Sequence, residues 1–316
     1  MASQHQERLQ RARISLEGLS VGDGFGDRFF VMNDESVRLC FATRTPPPAD
    51  PFWRYTDDTN MALSIYEILR QYGEIQQDKL AVSFCQHYHS SRGYGAAMHG
   101  LLGKINLGIP WQQASKELFS GQGSHGNGAA MRGAPLGAYF ADDIELSAIQ
   151  AQLSAEITHS NPEGIAGAIA VSVATSIAWQ LKRDNRQVTR KEFIDLVYPY
   201  VPPGIVSEKI RHARDLASGA SIDLAIAALG NGSQITAQDT VPFVLWCAGE
   251  KLSNYEDAIW LTATGGGDVD TTCAMVGGIV SMYTGLEGIP ANWIEYREPL
   301  PEWAFADSSN DFNSSN

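Results

Sequence analysis

The sequence has little sulfur chemistry to offer. Its four cysteines, Cys40, Cys85, Cys247 and Cys273, lie far apart with no Cys-x-x-Cys pair. That spacing argues against a disulfide scaffold and a structural zinc site, and a reducing cytoplasm is the expected setting. Basic charge is also short: 23 Lys and Arg face 36 Asp and Glu, a net charge of −13. No diffuse positive surface is available for nucleic acid phosphates or an anionic membrane, so neither is expected as a partner. The two long uncharged runs, 164–181 and 271–286, are dominated by Ala, Gly, Ser and Thr and fall short of the ~20 residues of a membrane span. Small residues at helical spacing let helices approach closely, which reads as the centre of a bundle. No alternating strand pattern and no fixed-period repeat is present. The N-terminus has no apolar segment behind a basic start, so no secretory signal is expected and the mature chain is read as starting there.

The 316 residues, 44% hydrophobic, are ample for a real core, and one domain over 1–306 is expected. Residues 307–316 are too polar to fold and are expected to be disordered. Leu9, Ala12, Leu16 and Leu19 have helical spacing and lead into Gly22-Asp23-Gly24-Phe25-Gly26-Asp27, which reads as a tight glycine turn. Residues 31–52, with Pro46, Pro47, Pro48 and Pro51, read as an irregular loop. Helices are expected after Thr56, at 78–88, 96–105 and 110–119, and repeatedly over 190–263. Two familiar signatures fail on context. Gly18-Leu19-Ser20-Val21-Gly22 matches a nucleophile elbow but has no strand before it. Gly121 to Gly126 matches a dinucleotide fingerprint but follows a helical pattern. The second can still offer backbone amides to a phosphate.

Two Thr/Asp clusters remain. Thr56-Asp57-Asp58-Thr59 opens an amphipathic helix, and Gly265-Gly266-Gly267-Asp268-Val269-Asp270-Thr271 opens the second small-residue run. Capping explains either cluster alone. Adjacent carboxylates in a first helical turn diverge by about 100°, so Asp57 and Asp58 suit two ions better than one. Asp268 and Asp270 close the other side, with Thr56 and Thr271 adding neutral oxygens. A hard-oxygen set without Cys or His favours Mg²⁺, with Mn²⁺ as the alternative. Two such ions would orient a substrate oxygen and activate water; Asp58 and Asp268 are the expected catalytic carboxylates.

In four ordered motifs the chain resembles the ADP-ribosylglycohydrolase family. These are Gly22-Asp23-x-x-Gly26, Thr56-Asp57-Asp58-Thr59, Gly126-Asn127-Gly128-Ala129-Ala130-Met131-Arg132 and Gly266-Gly267-Asp268-x-Asp270-Thr271. The resemblance implies a single-domain, all-α orthogonal bundle with a binuclear Mg²⁺ centre in a cleft. It implies metal ligation by Thr56, Asp57, Asp58, Asp268, Asp270 and Thr271, a diphosphate cradle at Gly123, Ser124, His125, Gly126 and Asn127, and adenine stacking by Phe119 and His125. Thr158-His159 also fits the family pattern, which adds His159 to the substrate-binding set. The implied reaction is hydrolysis at the anomeric carbon of an ADP-ribosyl group on a protein or small molecule, releasing ADP-ribose. Where some members carry a proton-donating Glu, this chain has Phe30, with Asp27, Asp34 and Glu35 only nearby. The 90–93 loop, where others carry an Asp, has no carboxylate. The sequence therefore assigns no general acid, and two alternatives stand: an ADP-ribose-binding module with weak turnover, or a metal-dependent hydrolase of another nucleotide or ribosyl metabolite. A monomer is expected.

Overall fold

The computed structural model describes residues 2–306; the segment 307–316, expected to be disordered, lies outside them. Seventeen α-helices carry the described residues. There is no strand among these residues, only isolated bridges joining Trp53 to Arg297 and Gly126 to Thr236.

The centre is a pair of helices from opposite ends of the chain, Ala2–Val31 and Val269–Thr284. Their backbones meet because glycine recurs every four residues along the first helix. A methyl group on Gly18 would overlap the Gly277 carbonyl, one on Gly22 the Cys273 carbonyl, and one on Gly26 would stand 2.5 Å from Asp270 Cα. The expected tight turn at 22–27 is thus wrong: these glycines lie inside a continuous helix and serve close approach. Buried hydroxyls in the seam find carbonyls, with Ser15 donating to Gly278 at 2.9 Å and Tyr255 to Gly18 at 2.6 Å. Neither hydroxyl is therefore left unpaired on burial.

Both small-residue runs are buried helices, as the sequence suggests. Pro162–Arg183 is long and apolar enough to cross a membrane, yet 83% of its most apolar stretch is buried within the protein. It packs on the Ala134–Tyr139 helix, where Ser172 and Ser176 donate to the carbonyls of Gly133 and Gly137.

Residues 31–52 also depart from expectation. A helix runs over Asp34–Thr43, capped by Asn33, whose side chain accepts from the Ser36 amide at 2.9 Å. The prolines follow this helix and end it. Beyond them Phe25 stacks on Trp293 at 4.8 Å and meets the edges of Trp53 and Trp260 at 5.4 and 5.1 Å. That aromatic cluster fixes the strand-like segment entering Thr56. The expected 110–119 helix is broken: Trp111–Lys116 and a short turn over Leu118–Gly121 are separated by a kink, with Phe119 and Ser120 in left-handed conformations.

Candidate active site

Thr56 caps the Asp57–Tyr72 helix. Its hydroxyl accepts from the Asp58 amide at 3.3 Å and donates to Asp58 Oδ2 at 2.9 Å. The cap is set from the neighbouring helix by Asp23, a fully buried residue. Asp23 accepts from the Thr56 amide at 2.9 Å, the Thr59 amide at 3.1 Å and the Thr59 hydroxyl at 2.5 Å. Sequence reasoning placed Asp23 in a motif but gave it no role. The signal available was its position in a helical register with Leu16 and Leu19, which the glycines obscured.

The second cluster is built by glycines in the left-handed region. Gly266 and Gly267 have φ of 61° and 71°, and a side chain at 267 would collide with Asn231. The turn places Asp268 at the cap position and Asp270 in the first turn of Val269–Thr284, not in the loop before it. Thr271 then donates to Asp58 Oδ2 at 3.3 Å, joining the two clusters. Carboxylate oxygens of Asp23, Asp58 and Asp270 lie within 4.8 Å of one another.

This arrangement is electrostatically unfavourable by itself. Burial raises the Asp23 carboxyl to about 7, against the hydrogen bonds from Thr59 and Thr56. Asp57 is likewise raised to about 7, by burial first and then by Asp23 and Asp268, whose repulsion exceeds the attraction of Arg132. Burial and neighbouring carboxylates hold Asp58 and Asp270 well above the usual range. Asp58 Oδ1 and Asp270 Oδ1 are buried without a hydrogen-bond partner. Orphaned, mutually repelling oxygens with no sulfur or nitrogen ligand among them fit a hard divalent cation.

A cavity of about 410 Å³ opens beside this cluster, a volume within the usual range for small-molecule sites. Asp57, Asp268, Asp270 and Thr271 line it together with Phe119, Ser124, His125, Gly126, Asn127 and His159. Thr56 and Asp58 sit behind the wall, buried, and Gly123 packs against Ser160 and Asn161. Asn127 joins the glycine loop to the carboxylates by donating to Asp268 Oδ2 at 2.7 Å. Phe119 is 51% exposed, and its ring centroid lies 5.8 Å from that of His125.

Two supports were not anticipated. Gln234, Ile235 and Thr236 line the cavity, and this segment pairs with the glycine loop: the Asn127 amide donates to Ile235 O at 3.2 Å and the Ala237 amide to His125 O at 2.9 Å. Beneath the loop, fully buried Arg132 donates to Gly128 O at 3.0 Å and to the Thr158 hydroxyl at 2.8 Å. The Thr158 hydroxyl also hydrogen-bonds His159 Nδ1, at 2.7 Å. Burial, then Arg132, lowers His159 to about 3, so a neutral ring faces the cavity at physiological pH.

Comparison with known proteins now decides the family. The chain matches the ADP-ribosylglycohydrolase family over residues 4–311. It belongs to that family. The Homo sapiens ADP-ribosylhydrolase ARH3 is 26% identical, covering 93% of this chain and 91% of that protein. ARH3 of Xenopus tropicalis is 30% identical over 76% of each. The Pseudomonas putida ADP-ribosylarginine hydrolase Tri1 is 22% identical, covering 92% of this chain and 75% of that protein. A solved ADP-ribosylglycohydrolase-related protein complex shares the fold with a TM-score of 0.65 at 23% identity, covering 93% of this chain and 94% of that one. The all-α ADP-ribosylglycohydrolase architecture is therefore established. The chain is accordingly an ADP-ribosylglycohydrolase, an enzyme of ADP-ribosyl hydrolysis in general.

Proposed function

We propose that this ADP-ribosylglycohydrolase releases ADP-ribose from an ADP-ribosylated protein or small molecule in a Mg²⁺-dependent reaction. The observation that carries the reading is that carboxylates, a glycine loop and an exposed aromatic line one and the same cavity. A dinucleotide-like substrate needs all three: a reacting ribose, an anion to seat and a base to stack.

Thr56, Asp57, Asp58, Asp268, Asp270 and Thr271 would hold two Mg²⁺ ions, with Mn²⁺ as the alternative. Bound there, such ions supply Lewis acidity toward the substrate ribose and toward water. The protein's own contribution is orientation. Asn127 fixes the Asp268 carboxylate, and Thr56 and Thr271 fix that of Asp58. Residues 123–127 seat the diphosphate, Phe119 and His125 take the adenine face, and neutral His159 offers a hydrogen bond without adding charge. Partners are limited to the substrate: we infer a cytoplasmic monomer that binds neither nucleic acid nor membrane.

The decisive assay is release of free ADP-ribose from ADP-ribosyl-arginine and ADP-ribosyl-serine peptides, with Mg²⁺ and then with EDTA. Release from either peptide that EDTA abolishes is the expected result and names the linkage. Binding of ADP-ribose with no release from any substrate would replace this reading by a binding module.

A further inference from the structure

Hydrolysis of an ADP-ribosyl bond needs a proton for the departing acceptor, and the carboxylate cluster leaves that role unfilled. Asp34 and Glu35 are exposed at the start of the Asp34–Thr43 helix, and Phe30 offers no acid. Near the 90–93 loop stand Asp57, which belongs to the proposed cation site, and Glu298, which is held in a bidentate pair by Arg92 at 2.6 and 2.9 Å.

Asp27 is placed differently. It follows Asp23 by four residues in the same helix, so it shares the face of Asp23 and lies about 6 Å farther along the axis. Asp23 is within the carboxylate cluster, and Gly26, next to Asp27, abuts the backbone of Asp270. Along this face burial decreases from fully buried Asp23 to half-buried Asp27, so the helix brings a second carboxyl beside the cluster, outside the residues that line the cavity and on the side left to the acceptor. Arg54 and Arg92 approach from the segments that lead into Thr56 and Gly93, and Arg28 from its own helix. Gly93 lines the cavity. Among the described residues the Asp27 side chain takes no hydrogen bond or ion pair, which leaves its carboxyl available to a substrate.

We propose that Asp27 is the general acid of this enzyme, protonating the acceptor atom as the glycosidic bond breaks. This rests on the ADP-ribosyl hydrolase reading above. In the step, the bond from the anomeric carbon to the acceptor breaks and its electron pair goes to the acceptor atom, which takes the proton of Asp27. Water forms the new carbon–oxygen bond and gives its proton to solvent, and solvent restores that of Asp27. Burial raises the Asp27 carboxyl, opposed by Arg54, Arg28 and Arg92, in keeping with an acid that holds its proton longer than a free carboxyl.

The test compares wild type, Asp27→Asn and Asp27→Glu on whichever linked peptide the wild type cleaves. The second substrate is an ADP-ribosyl 4-nitrophenyl glycoside of the same anomeric configuration, whose leaving group departs without protonation. Asp27→Asn is expected to lose about 10²- to 10⁴-fold in kcat on the peptide, with a rate on the nitrophenyl glycoside within about five-fold of wild type. Asp27→Glu should recover part of the peptide rate, and Mg²⁺-linked melting and ADP-ribose binding should stay at wild-type values in both variants. Asp27→Ser replaces Asp27→Asn should the latter fail to fold. Equal losses on both substrates, or an undiminished peptide rate, would overturn the assignment. A wild type that cleaves neither peptide nor glycoside would instead overturn the hydrolase reading, and this proposal with it.

Discussion

Asp23 shows how one side chain sets a site it is not seen to line. Its carboxylate gathers three donors from the start of the Asp57–Tyr72 helix. Asp23→Ala strands two buried amides, a loss of about 3 kcal/mol when each costs 1–3. Urea denaturation should show that loss, together with weaker Mg²⁺ binding because Thr56 and Asp58 are no longer fixed; unchanged Mg²⁺ affinity would refute the positioning role. His159 gives a prediction with a defined sign. Its folded pKa of about 3 lies below the ordinary value near 6.5. The neutral ring therefore contributes stability above pH ~6.5 that is lost as pH falls toward 3. Relative to His159→Gln, wild type should lose on the order of 2 kcal/mol between pH 7 and 5. Taking the difference between the two proteins cancels the carboxylates, which shift the other way, and a difference that stays flat with pH would contradict a neutral buried ring.

At the scale of elements, the packing of Ala2–Val31 on Val269–Thr284 determines how far Asp23 stands from Asp270. Gly22→Ala forces the backbones apart, because the methyl group meets a helix carbonyl rather than a flexible side chain. A loss of ~2–3 kcal/mol is expected, at the upper part of the usual overpacking range. Gly95→Ala, a position with open space around it, should change stability by less than about 0.5 kcal/mol. Equal effects in thermal melts would remove close approach as the reason for Gly22. These helices also mark what could be read from the chain. Local periodicity disclosed most elements, and the Thr/Asp clusters disclosed the carboxylates that gather beside the cavity, because the capping chemistry that sets them is local. The glycines of the first helix misled because a turn and a close approach ask for the same residue. The Asp34–Thr43 helix escapes a composition-based reading because Pro46, Pro47, Pro48 and Pro51 all follow it, ending the helix without forbidding it. Asp23 and the Gln234–Thr236 wall depend on contacts between distant segments, which no local pattern reports.

Taken as a whole, the molecule concentrates carboxylates where its longest-range packing converges, and its stability should respond accordingly. Asp23 and Asp57 have folded pKa values raised to about 7, against about 3.9 unfolded. The stability gained by a protonated cluster is therefore complete below pH ~4 and lost as pH rises toward 7. Without metal, the protein should weaken over that window; with Mg²⁺ the loss should be offset, by about 2.7 kcal/mol at a hundred-fold excess over Kd. For a chain of this size that corresponds to roughly 5 °C in Tm. Asp270→Asn separates repulsion from ligation. The neutral amide relieves the raised carboxyls around it, so the variant should melt above wild type in EDTA. It also weakens the cation site, so it should melt below wild type in saturating Mg²⁺. That reversal of order is difficult to obtain from a general packing defect, which would lower both curves. Melts of both proteins at pH 7.5, with EDTA and with Mg²⁺, are sufficient to observe it, and coincident wild-type curves in the two conditions would mean that the cluster is not a metal site.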